Sequence, residues 1–131
     1  IALELDRPTA DFTEGPAMTE AETLAAMQEG AAAVDLTADV LILGEMGIGN
    51  STIAAAMAAA LFGGEVAAWV GAGTGSDSDG MKRKIAAIEK GLARHTDLDA
   101  MGVLAALGGR EQAATVAASG CSPIPSGQAG Q

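Results

Sequence analysis

Two glycine-rich turns, each following directly on a short apolar run, constrain this chain more than any other feature. Val40-Leu-Ile-Leu43 leads into Gly44-Glu-Met-Gly-Ile-Gly-Asn-Ser51, and Val66-Ala-Ala-Trp-Val70 leads into Gly71-Ala-Gly-Thr-Gly-Ser-Asp77. A continuous apolar run is the pattern of a parallel strand covered on both faces. A helix-permissive stretch rich in alanine lies between the two runs, so the order reads strand, turn, helix, strand, a right-handed crossover in a parallel sheet. Glycines at such a junction let bare N–H groups approach an anion, and the positive end of the next helix adds to the attraction. Two such turns in one short chain point to a nucleotide or sugar-phosphate ligand.

The remaining chain supplies local start and stop signals. Ile1, Leu3 and Leu5 alternate, as in a short edge strand. Thr19-Glu-Ala-Glu22 has the spacing of a capping box and predicts a helix to about Ala33 with Leu24 and Met27 on its buried stripe. Asn50 or Ser51 is placed to cap the next helix, nearly apolar all round and therefore expected to be buried, which Gly63-Gly64 stops after Phe62. Met81, Ile85, Ile88 and Leu92 predict a helix over about 79–94, and Asp97 is placed to cap another that Gly108-Gly109 breaks. Residues 110–118 permit helix. The tail 119–131 has no period and many breakers, so the reading gives one domain over 1–118 and an irregular or disordered end.

Composition removes several function classes. A formal charge of −10 disfavours nucleic acid as a partner. Lys82, Arg83, Lys84, Lys90, Arg94 and Arg110 nevertheless cluster after the second turn, either as a locally positive mouth or as solvated helix faces. No apolar run reaches the ~18 residues of a membrane span, and one cysteine, Cys121, fits a reducing cytoplasm. Few aromatic residues and much alanine make a core that buries little area per side chain, so a homo-oligomer is expected. The chain does not begin with Met, which suggests a processed, trimmed or non-native start.

Gly44 to Ser51 fits the phosphate-loop pattern except that Asn50 stands where the lysine would, which disfavours ATP or GTP hydrolysis. Gly44, Gly47 and Gly49 with Asn50 and Ser51 form either a cradle for one phosphate or a tight helix entry without a ligand. Glu45 would repel a phosphate, so it suits a ribose hydroxyl or a protonated ring nitrogen; otherwise it is a surface residue at a loop tip. Gly71, Gly73, Thr74 and Gly75 make a second nest. Asp77 and Asp79 beyond it either cap the following helix or hold Mg²⁺ beside a phosphate. Lys84 lies one turn inside that helix, from where its side chain can fold back onto a phosphate as a point charge. His95 suits the end of a helix, where it can meet terminal carbonyls, and Cys121 has no group nearby that would make it a thiolate.

At these residues the sequence resembles the nicotinate-nucleotide:dimethylbenzimidazole phosphoribosyltransferase family. Pro8 to Glu22, Gly44 to Asn50, Val70 to Gly75, then Gly80 and Lys84, and finally Gly108 to Glu111 follow family segments in the family's order. The resemblance implies a doubly wound, Rossmann-like α/β domain with helices on both faces, and a homodimer. It also implies transfer of phosphoribose from nicotinate mononucleotide to a benzimidazole nitrogen, with no metal and no cofactor. By position, Glu45 and Lys84 resemble the family's active-site acid and lysine, and Gly47, Gly49, Gly73 and Gly75 the glycines lining the phosphate and ribose site. Family members are more than twice as long, with an acceptor pocket drawn in part from before Ile1 and a general-base glutamate near a C-terminus absent here. Ser76 and Ser78 depart from the family pattern, and beyond Ala118 the tail looks truncated or frameshifted. The expectation is therefore a truncated domain that binds nicotinate mononucleotide or a related ribose phosphate without full transferase activity. The alternatives are a phosphate-ester or glycosidic-bond hydrolase using Asp77, Asp79, Glu45 and Lys84, with a metal in one version, and a non-catalytic dimerising fragment.

Overall fold

The capping box starts the first helix where its spacing places it. In the computed structural model, which describes residues 1–4, 6–71 and 78–120, the Thr19 N–H donates to Glu22 Oε2 at 2.8 Å and the Glu22 N–H returns a bond to Thr19 Oγ1 at 3.2 Å. Helix α1 runs over Glu20–Ala32. It is followed by α2 (Asn50–Phe62), α3 (Val66–Trp69), α4 (Ser78–Arg94), α5 (Ala100–Leu107) and α6 (Arg110–Gly120). Thr23, Ala26 and Gly30 form the buried stripe of α1, while Leu24 is exposed. Small residues on that stripe allow close approach. A Cβ built on Gly30 would stand 2.1 Å from the Ala114 carbonyl oxygen of α6, so the two helices meet with nothing between their backbones.

The expected parallel sheet is absent: the described residues are helical or irregular and none lies in a strand. Residues 1–4 pair with no strand. Val40–Leu43 is not paired in a ladder, and its side chains are exposed, Ile42 at 87%. An apolar run becomes a strand only where neighbours complete its ladder. The second run closes into the one-turn helix α3, in which the Ala68 N–H donates to Glu65 O at 2.9 Å and Trp69 Nε1 to Gly63 O at 2.9 Å. Its alanines favour helix over strand. The α/β, doubly wound, Rossmann-like reading is thus corrected to an all-helical arrangement of the described residues.

The core joins α2, α4 and α5. Ala55 and Ala56, Ile88, and Val103, Ala106 and Leu107 pack with Val70, and Phe12 and Ile85 close the edges. Ile88 and Leu107 are fully buried. Helix α2 is less enclosed than expected, with Leu61 and Phe62 open to solvent. Asp99, not Asp97, caps α5, its carboxylate accepting from the Gly102 N–H at 2.7 Å; Asp97 has φ +57°. The segment 10–18 straps the end of α5, where the Ala17 and Met18 N–H groups donate to Ala106 O and Ala105 O at 3.0 and 2.9 Å. Those bonds complete carbonyls that a helix end leaves open. His95 reaches the strap rather than its own helix end, with Nε2 donating to Phe12 O at 2.8 Å.

Candidate functional site

The first glycine turn delivers the chain into α2 through Gly49, whose φ of +85° is a conformation that side chains rarely adopt. Gly49 is the residue before the helix. Neither Asn50 nor Ser51 is therefore the cap: Asn50 opens α2, and no side chain bonds the cap position. The Thr52 and Ile53 N–H groups both donate to Gly49 O, at 2.9 and 3.1 Å. The Asn50 and Ser51 N–H groups thus stand at the positive end of α2, outside its internal ladder.

Lys84 comes to this helix start from α4. Its Nζ donates to Ser51 Oγ at 3.2 Å across 33 residues of sequence. Three of the other clustered cations, Lys82, Lys90 and Arg110, pair elsewhere. Lys82 pairs with Asp79 at 3.1 Å, and Lys90 pairs with Glu14 on the strap. Arg110 is buried, a role its sequence context did not announce; it donates through Nη1 to Arg7 O at 2.7 Å and pairs through Nη2 with Glu4 and Glu22, each at 3.3 Å. One signal could have found it. An arginine opening a helix opposes the helix dipole and therefore asks for an anionic partner nearby.

Glu45 lies between two environments. Its Oε2 accepts from Asn50 Nδ2 at the start of α2. It also lines a groove of about 630 Å³ bounded by α1, α6 and the irregular segment 41–46, with Leu41, Ile42 and Met46 among its apolar lining and Glu111 as a second carboxylate. Asn50 is buried, and its amide lies over Gly47, where a Cβ would come within 2.5 Å of Nδ2. Gly44 and Gly71 are open, with no atom within 4 Å of where a Cβ would stand. The site thus brings Glu45, Gly47, Gly49, Asn50, Ser51 and Lys84 together. Gly73, Thr74, Gly75 and Asp77 lie outside the described residues, as does Cys121. Asp79 sits in the first turn of α4 and pairs with Lys82. Among the described residues, no group of three or more His, Cys, Asp or Glu converges as a metal site.

The site thus holds a cation at a helix start and, bonded to that helix's first residue, a carboxylate that also borders an apolar groove. The sequence pattern of a phosphoribosyltransferase family matches residues 1–120. The chain belongs to that family. It is 70% identical over 114 residues to the nicotinate-nucleotide–dimethylbenzimidazole phosphoribosyltransferase of Rhodobacter capsulatus, covering 87% of this chain and 34% of the relative. The protein of the same name from Ruegeria pomeroyi is 58% identical over 117 residues, covering 89% and 35%. The crystal structure of CobT from Thermus thermophilus superposes with a TM-score of 0.77 at 41% identity, over 84% of this chain and 34% of that one. The chain therefore spans about a third of the length of these phosphoribosyltransferases. No helix among the described residues is long and apolar enough to cross a membrane.

Proposed function

We propose that residues 1–118 form the ribose-phosphate-binding unit of a phosphoribosyltransferase whose donor is nicotinate mononucleotide or a close relative. The observation that carries this reading is Lys84 reaching Ser51 at the start of α2. Among the described residues, this contact brings a cation to a helix N-terminus entered through a glycine turn, the arrangement that binds phosphate through amides and charge together. The Asn50 and Ser51 N–H groups and Lys84 hold the phosphate. Gly71, Gly73, Thr74, Gly75 and Asp77 are assigned to the ribose side by their place in the sequence.

Glu45 faces the sugar and ring. In the transfer, the bond from ribose C1′ to the nicotinate nitrogen breaks, nicotinate leaves with the bonding pair, the lone pair of an acceptor ring nitrogen forms the new bond to C1′, and the proton on the acceptor's other ring nitrogen passes to solvent water. Positive charge builds on the ribose as the first bond lengthens, and a carboxylate beside it is of the sign that stabilises that charge. The protein acts in the cytoplasm as a homodimer, to which Leu61, Phe62 and Trp69 offer an exposed apolar face.

Calorimetric titration with nicotinate mononucleotide tests the reading. Wild-type protein binds it and is stabilised by about 2.7 kcal/mol at a hundredfold excess over Kd. Lys84→Ala removes a charge-assisted contact and binds about 10- to 100-fold more weakly. Binding equal in both proteins sinks the assignment of Lys84.

A further inference from the structure

We infer that the side chain of Asn50 positions the Glu45 carboxylate and does not itself bind the phosphate, which meets this residue only through its backbone N–H; this rests on the ribose-phosphate reading above. Asn50 is 8% exposed and its Nδ2 donates to Glu45 Oε2. Its amide is seated on Gly47 so closely that a Cβ there would stand 2.5 Å from Nδ2, 2.8 Å from Oδ1 and 2.9 Å from Cγ. Those two contacts hold the side-chain amide in place. The Asn50 amide is thus engaged with the Glu45 carboxylate, whereas the cation Lys84 meets the neighbouring Ser51 hydroxyl.

The consequence is a division of labour within one glycine turn. Lys84 and the α2 N–H groups recognise the phosphate, whereas Gly47, Asn50 and Glu45 recognise the sugar. A carboxylate with one oxygen held by Asn50 keeps acceptor capacity on the other. Hydroxyl groups of a ribose are donors that fit it, and a bare phosphate is not. Asn50 thus acts through Glu45 and adds affinity only for ligands that carry the sugar.

Two measurements on the full chain separate this from other roles. The first is binding of nicotinate mononucleotide and of inorganic phosphate to wild type, Asn50→Ala, Gly47→Ala and Lys84→Ala. Asn50→Ala and Gly47→Ala each weaken the nucleotide about tenfold and leave phosphate unchanged, while Lys84→Ala weakens both. The second is the Asn50 side-chain amide signal in ¹⁵N NMR, which is distinct from solvated amides in the wild type and collapses toward them in Glu45→Ala and Gly47→Ala. Equal loss of both ligands in Asn50→Ala makes the Asn50 side chain a phosphate ligand and overturns the inference. A solvated Asn50 signal in wild type that binds both ligands overturns the positioning alone. Wild type that binds neither ligand overturns the proposed function and the sugar role with it, and the NMR signal then judges the Asn50–Glu45 contact by itself.

Discussion

Gly30→Ala tests whether α1 and α6 meet backbone to backbone. In an exposed helix interior this change gains about 0.5–1 kcal/mol, because alanine loses less backbone freedom than glycine. Here the added Cβ would lie 2.1 Å from Ala114 O and 2.5 Å from Ala114 C and Cα, whereas real Cβ atoms essentially never come within 3.0 Å of another heavy atom. Closing that gap requires α6 to retreat by about 1 Å, and the obstacle is backbone, which no rotamer change can clear. Overpacking of this kind costs about 1–3 kcal/mol, occasionally more. The expected net result is destabilisation by about 1–2 kcal/mol, read as a fall of roughly 3–4 °C in Tm per kcal/mol for a domain of this size. Gly15→Ala is the control, since no atom lies within 4 Å of its Cβ position, and it should stay within about 0.5 kcal/mol of wild type. The assay is chemical and thermal unfolding of the three proteins side by side. A Gly30→Ala protein as stable as Gly15→Ala would refute the close packing of α1 on α6.

Further outcomes follow from the buried arginine and its acids. Arg110→Ala should destabilise by about 2–3 kcal/mol in urea unfolding, because a side chain 7% exposed loses its bond to Arg7 O and its two carboxylate partners; those partners lie toward solvent and temper the loss. No change in the urea midpoint would contradict that cluster. The Thr19 N–H and hydroxyl, then Arg110 and Arg7, hold the Glu22 carboxyl below its ordinary value near 4.5. A depressed carboxylate contributes stability that is present above the unfolded value and is lost as pH falls through the folded one. Asp11, beside the Thr13 N–H, and Glu14, beside Lys90, shift the same way. The urea midpoint should therefore drop between about pH 5 and pH 3 and do so less in Thr19→Val; a flat profile over that window would disprove the linkage.

The parts of the fold that the sequence disclosed are those decided within a few residues. Thr19 and Glu22 determine a helix start between themselves, Gly63-Gly64 end α2 with positive φ angles that glycine adopts freely, and Ile85, Ile88 and Leu92 announce the inner face of α4. What remained hidden depends on distant partners. Val40–Leu43 has the composition of a strand, but a ladder is formed by neighbours rather than by composition. Val66–Trp69 carries two alanines whose local preference prevails over its flanking valines. In the site, Lys84 could be placed from its spacing after the second glycine turn, although the helix start it touches belongs to the first. Asn50 was legible as a departure from the phosphate-loop pattern but not as a partner of Glu45, because that contact needs the chain to fold back over Gly47. Arg110 looked like one of six clustered cations, and only its burial separates it from them.

An amide-resolved NMR titration with nicotinate mononucleotide bears most directly on the ribose-phosphate site. The account predicts that the largest shifts fall on the N–H groups of Gly49, Asn50 and Ser51, that they saturate with the same Kd as the calorimetry, and that Lys84→Ala weakens them together. Shifts confined to the α1–α6 groove or to the strap over α5, with Gly49 to Ser51 unmoved at saturation, would contradict it.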